Sequence, residues 1–210
     1  MNNIEILNIK NYPVESNCFL VFDSQTKYAI VIDPGSDSCN SVIEYIEDYD
    51  LSVEYIILTH EHFDHIWGVN VLKERYNCQI VCSKECAEKI VDKRKNLSEF
   101  YNQKGFETYN ADIKFNSNAF SIKWHDYSIE LAKTKGHSEG SICVMINNNL
   151  FSGDTVIKNM KTVVKLPDSS RIELKKSLGF IQSICTDKTI IYPGHGDSFK
   201  FENSIIEKCL

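Results

Sequence analysis

The chain has 210 residues, 42% of them hydrophobic and 25% charged, with 9 Gly and 4 Pro; this is the composition of one globular domain and excludes disordered, collagenous and coiled-coil classes. With 23 Lys and Arg against 29 Asp and Glu the net charge is −6, which works against nucleic acid or an anionic membrane as a partner. Short β-branched and aromatic runs predict strands over 5–9, 17–22 and 28–32, the last closing on Asp33-Pro34-Gly35. Val42, Ile43, Ile46 and Tyr49 recur at helical spacing over 40–49, and a nearly continuous apolar strand follows over 54–58. A helix near 68–76, a strand over 79–82 and a second helix capped by Ser83 come next. The polar, weakly periodic stretch 92–118 reads as a mobile excursion. Strands resume over 120–124, 128–132, 142–146 and 149–152; a helix over 171–185, a buried strand over 189–192 and a closing helix over 202–209 complete the chain. Many strands, helices at intervals and no internal repeat predict a single α/β domain over 1–210, with two sheets inside and helices outside.

No run approaches the roughly 18 unbroken apolar residues of a membrane-spanning helix. The start, Met1-Asn2-Asn3-Ile4-Glu5-Ile6, lacks the basic and apolar regions of a secretory signal, so the expected compartment is the cytoplasm. The 8 Cys are expected to be free thiols there, several of them in the core.

Four predicted strands end in loops that carry metal-ligand side chains: Thr59-His60-Glu61-His62-Phe63-Asp64-His65, Gly136-His137, Gly153-Asp154 and Gly194-His195. Loops after strand ends converge along one sheet edge over a rigid backbone. An extended His-x-His puts His60, His62 and Asp64 on one side and sends His65 elsewhere unless the loop turns, so two metals would satisfy both directions. Imidazole and carboxylate donors without thiolate suit Zn, Fe or Mn, and Asp154, alone in its loop, is the natural bridge between two cations. Glycines beside His137, Asp154 and His195 suit tight turns that need positive φ or close backbone approach.

These four motifs, extended to Gly136-His137-Ser138, Gly153-Asp154-Thr155 and Pro193-Gly194-His195-Gly196, resemble in their order the metallo-β-lactamase superfamily, across essentially the whole chain. Gly-His-Ser-Glu-Gly-Ser, Phe-Ser-Gly-Asp-Thr and Asn96-Leu97-Ser98 resemble its small glyoxalase II-like thioester hydrolases. The resemblance implies a four-layer αββα sandwich and two divalent ions, zinc first, with iron or manganese as alternatives. It implies that His60, His62 and His137 hold the first metal, that Asp64, His65 and His195 hold the second, and that Asp154 bridges them; Asp64 and Asp154 carry the catalytic assignment. Two cations about 3.5–4 Å apart hold a hydroxide by lowering the pKa of water from 15.7 towards about 7. That hydroxide attacks a carbonyl polarised by one metal, and a thiolate leaves without a strong general acid. The implied partner is a small-molecule substrate.

Two departures bear on that substrate. Glyoxalase II adds a C-terminal helical domain that holds glutathione, whereas this sequence has 15 residues after His195, so glutathione specificity is not expected. Where close relatives read Gly-Arg-Thr-Asp-Leu-Pro, this chain reads Thr162-Val163-Val164-Lys165-Leu166-Pro167; the arginine is missing, and Lys165 is either a substitute contact or a solvated lysine. The β-lactamase branch commonly uses a Cys ligand and normally lacks the His that stands here at 65; flavodiiron proteins carry Glu at the position of His62. Two other functions stay open beside thioester hydrolysis: a mononuclear iron persulfide dioxygenase, and a non-hydrolytic member that senses a metabolite.

Other residues have plainer readings. His125 is expected to be an ordinary residue between two strands, and Cys78, Cys82 and Cys86 are expected to point apart. Ser138, Glu139 and Ser141 either support the site or shape the turn. Tyr101 and Tyr109 either line a substrate pocket or pin the 92–118 segment to the body.

Overall fold

A computed structural model describes residues 3–210. The chain forms two compact units, one ending at Cys82 with 87–114 added, the other made of 83–86 and 115–210.

The first unit is built on a six-stranded sheet in sequential order: β1 (Ile4–Lys10), β2 (Asn17–Asp23), β3 (Tyr28–Ile32), β4 (Ser52–Ile57), β5 (Gln79–Ser83) and β6 (Ile113–Phe115). The strands β1, β2 and β3 are antiparallel, while β3, β4 and β5 run parallel. Every residue of β2 is buried. Helix α1 (Asn40–Asp48) is the β3-to-β4 crossover and buries Val42 and Ile46; α2 (Phe63–Ile66) and α3 (Val69–Tyr76) follow β4. Because β3 and β4 are parallel, Asp33 and Thr59 leave the sheet at the same edge.

Helices α4 (Lys84–Lys89) and α5 (Ser98–Asn102) come after β5. Ser83 caps α4 as expected, its Oγ accepting the Cys86 N–H at 3.1 Å. The segment 92–118 is not the excursion its polarity suggested, since it contains α5 and β6 and is fastened from within. Asn96 Nδ2 donates to the carbonyls of Ile90 at 3.3 Å and Phe106 at 2.9 Å, and Ser98 Oγ accepts the Phe106 N–H at 2.9 Å. A five-residue helix and a three-residue strand are too short to show a period.

The second unit carries another six-stranded sheet, in which β7 (Ala119–Trp124), β8 (Tyr127–Lys133), β9 (Ile142–Ile146), β10 (Asn149–Gly153), β11 (Ile190–Pro193) and β12 (Phe199–Lys200) lie in sequential order. Only β10 and β11 are parallel, with α6 (Arg171–Ile184) as the crossover; α7 (Asn203–Lys208) follows β12. Helix α6 starts at its cap Ser170, buries Leu174, Leu178 and Ile181, and packs them with Leu150, Ile191, Phe199 and Ile205. Each such side chain contributes roughly 1.5–3 kcal/mol on burial. Cys185 has extended backbone just past the helix instead of belonging to it.

All 8 Cys are free, and all but Cys185 are buried. Burial pushes the thiols of Cys39 and Cys143 up to about 12. No helix among the described residues is long and apolar enough to cross a membrane.

Candidate metal centre

In the first unit the alternation expected of Thr59-His60-Glu61-His62 holds only as far as His62. There α2 begins, so Asp64 and His65 sit on a helical turn and not on extended chain. The turn swings His65 back towards His60: their ring centroids are 4.2 Å apart, and those of His60 and His62 are 4.7 Å apart. All three imidazoles are buried. The turn is held tightly from behind, since Ser16 Oγ donates to the Asp64 carbonyl at 2.5 Å and a Cβ on Gly35 would stand 1.6 Å from that same oxygen. No other residue fits at 35.

One carboxylate organises these rings. Asp33, in the left-handed region at φ 54, accepts the Thr59 N–H at 2.7 Å on Oδ1 and the Thr59 hydroxyl at 2.5 Å on Oδ2. Oδ2 also lies 3.1 Å from His65 Nδ1. Having given its only proton to Asp33, the Thr59 hydroxyl must accept from His60 Nδ1, 3.0 Å away. Both histidines therefore carry a proton on Nδ1, which leaves Nε2 as the nitrogen to face a metal, the arrangement that orients a metal-binding imidazole. Asp33, His60 and His65 lie close enough to share an ion, but Asp33 is already committed to three donors and serves as a positioning carboxylate.

In the second unit the donors come from three separate loops. His137 follows Gly136, whose φ is 144 and whose added Cβ would lie 2.4 Å from the Leu174 backbone. His137 Nδ1 is 3.0 Å from the Val163 carbonyl, which can only accept, so the proton of this bond sits on Nδ1 and Nε2 is the nitrogen turned to a metal. Asp154 follows β10 and His195 follows β11, and the two loops are tied where the Gly194 N–H donates to the Gly153 carbonyl at 2.8 Å. Asp154 Oδ2 stands 3.6 Å from His137 Nε2 and 3.5 Å from His195 Nε2. Two donors each about 2.1 Å from one cation are roughly 3.4 Å apart in a tetrahedral site. One carboxylate oxygen is thus spaced to share an ion with either imidazole.

The model of the metallo-β-lactamase superfamily matches residues 11–195. The chain is a metallo-hydrolase of that superfamily. A probable metallo-hydrolase from Methanocaldococcus jannaschii is 29% identical over 91% of this chain and 93% of its own length. A hydroxyacylglutathione hydrolase from Haemophilus influenzae is 26% identical over 92% and 91% of the two chains. The crystal structure of the B3 metallo-β-lactamase BLEG-1 aligns with a TM-score of 0.87 at 24% identity, covering 97% of this chain and 95% of that one. That likeness shows the fold, the mixed α/β architecture on two sheets that the sequence predicted.

The superfamily's metal chemistry suits the donors found here. They are imidazole nitrogens and carboxylate oxygens, and no group of potential ligands among the described residues includes a thiol. Sequence reasoning missed Asp33, Thr59 and the Val163 carbonyl, which hold the ligands without being ligands. Asp33-Pro34-Gly35 after a strand was visible, but only the parallel pairing of β3 with β4 shows that Asp33 faces Thr59. Of the glycines expected to need positive φ, Gly136 and Gly153 have it; beside His195 it is Gly196, at φ 79, and not Gly194. Ser138 and Ser141 hydrogen-bond each other, their Oγ atoms 2.9 Å apart, and shape the turn after His137.

Proposed function

We propose that the chain is a dinuclear metal-dependent hydrolase of small thioesters, its two units acting as one catalytic domain in the cytoplasm. The observation that carries this reading is Asp154 Oδ2, almost equidistant from His137 Nε2 and His195 Nε2, as a bridging carboxylate requires. In the proposal His60, His62 and His137 hold one ion, Asp64, His65 and His195 the other, and Asp154 both. Zinc is the first choice, and iron or manganese satisfies the same donors. Bound there, two divalent ions supply an acidic water at neutral pH and polarise a substrate carbonyl.

This chain's residues contribute order around that chemistry. Asp33 and Thr59 hold the Nδ1 side of His65 and His60, and the Val163 carbonyl holds that of His137, so that Nε2 is the nitrogen each ring presents. With Nδ1 occupied, the rings cannot rotate to present the wrong nitrogen. In the net reaction water adds to the acyl carbon, the C–S bond breaks, and the thiol leaves with a proton; a thiolate leaves readily, so no strong acid is needed. The likeness to a hydroxyacylglutathione hydrolase supports the thioester class, while the charge of −6 favours a small molecule over nucleic acid.

The test is elemental analysis of protein purified without added metal, beside thiol release from S-lactoylglutathione and simpler thioesters. About two metal ions per chain together with thiol release are expected. One iron per chain with oxygen uptake on a persulfide, and no thiol release, would sink the proposal.

A further inference from the structure

Beside the metal ligands the first unit carries four aromatic side chains in mutual contact that none of the metal chemistry uses. Phe63 lies between His62 and Asp64 in the sequence and stacks on Tyr101 with centroids 4.8 Å apart and planes at 27°. Trp67, one turn further along, meets Phe63 at 5.9 Å and Tyr101 at 5.6 Å, and stacks on Phe106 at 5.2 Å and 13°. None of the four is buried; Tyr101 is 46% exposed.

A cluster that served only to pin α5 would have little reason to stay open. The segment that bears Tyr101 and Phe106 is already fastened by Asn96 and Ser98, and the Phe63 N–H donates to the Asn96 carbonyl at 2.9 Å, which ties the ligand loop to it directly. The aromatic surface is therefore fixed in place by polar bonds. The aromatic faces themselves carry no charge, and the cations Lys93 and Arg94, just ahead of α5, are drawn to Glu99 and not to the rings. Rigid aromatic faces left half-open beside a reactive centre are how ligand sites hold apolar groups.

We infer that Phe63, Trp67, Tyr101 and Phe106 form a platform for an apolar acyl chain, so that the substrate is a medium-chain or aromatic acyl thioester. This rests on the thioester reading above. Tyr101 and Phe63 set specificity by touching the chain, while the carbonyl would lie at the proposed metal centre. The acyl carbon gains oxygen from water and loses sulfur, and the chain on the platform is unchanged.

The experiment uses metal-loaded protein with acetyl, butyryl, hexanoyl and octanoyl thioesters of N-acetylcysteamine, which remove glutathione from the comparison. Expected is a rise in kcat/KM of at least roughly tenfold from acetyl to octanoyl, and in Tyr101→Ala a collapse of that ratio. The octyl thioether of the same thiol, which cannot be hydrolysed, gives a second readout. Trp67 is one of 2 tryptophans and the other, Trp124, is 1% exposed, so emission that saturates with the thioether reports the platform. A kcat/KM independent of chain length overturns the platform and leaves the hydrolase standing. If no thioester is cleaved, the thioether decides: saturable binding weakened in Tyr101→Ala upholds the platform while the proposed function fails, and no binding overturns both.

Discussion

Asp33 and Asp154 are both nearly buried carboxylates set among histidines, yet they face opposite sides of the rings. Asp33, in the first unit, meets the Nδ1 side, directly at His65 and through the Thr59 hydroxyl at His60. Asp154, in the second, meets Nε2 of His137 and His195. A carboxylate behind the ring fixes its tautomer; one in front lies beside the nitrogen that a metal would take, as the proposed ligand role of Asp154 needs. The same residue type thus has two jobs, decided by which nitrogen it addresses.

The contrast breaks first at Asp154. In Asp154→Ala the shared oxygen is gone, and thiol release is expected to fall by about a thousandfold or more with loss of bound metal; turnover within tenfold of wild type would remove Asp154 from the front of the rings. At Asp33 the expected loss is smaller. Asp33→Asn offers Thr59 and His65 a donor where both need an acceptor, and metal affinity should drop about 10- to 100-fold by competition with a chelator. If Asp33→Asn instead matched Asp154→Ala in a metal titration, Asp33 would be a ligand and the distinction void.

That difference also explains what could be read from the sequence. The seven donors of the proposed site could be named from the sequence because each lies in a loop after a strand and four of them share one short motif. Asp33 was not, since it is 26 residues from Thr59 and meets it only through the parallel pairing of β3 and β4. The Val163 carbonyl was invisible in principle, because any residue has one. The longer elements were legible from their apolar periods; α2, α5, β6 and β12 were not, at two to five residues each. Of the two roles open to Tyr109, the structure shows a tie to the body, its hydroxyl donating to Glu74 at 2.8 Å.

A sharper comparison comes from supports that do not touch the rings. Gly136→Ala must push its Cβ into the Leu174 backbone at a φ of 144, and a loss of roughly 1–3 kcal/mol is expected in urea unfolding. Because His137 is the next residue, the variant should also bind metal less tightly; unchanged stability and affinity would mean that α6 yields. The smallest effect concerns Glu85. Burial raises its pKa, but hydrogen bonds from Lys133 and Lys135 at 2.8 Å outweigh that and bring it from 4.5 down to about 2. A depressed pKa stabilises the fold above about pH 4.5 and ceases to do so as pH falls towards 2. The stability gap between wild type and Glu85→Gln should therefore be on the order of 1–2 kcal/mol at pH 6, allowing for solvent screening, and shrink in acid. A gap constant from pH 6 to pH 3 would deny the carboxylate that role.

The parallel pairing of β10 with β11 has a consequence for how this protein acts as a chelator. Asp154 and His195 are 41 positions apart (195 − 154), and in an open chain a cation would have to close that loop itself, at an entropic cost. Here Gly153 and Pro193 are register partners and a hydrogen bond joins the loops, so folding alone closes the ring. The apoprotein is then a preorganised macrocycle, and hydrogen exchange at the Gly194 amide should be slow before any cation arrives.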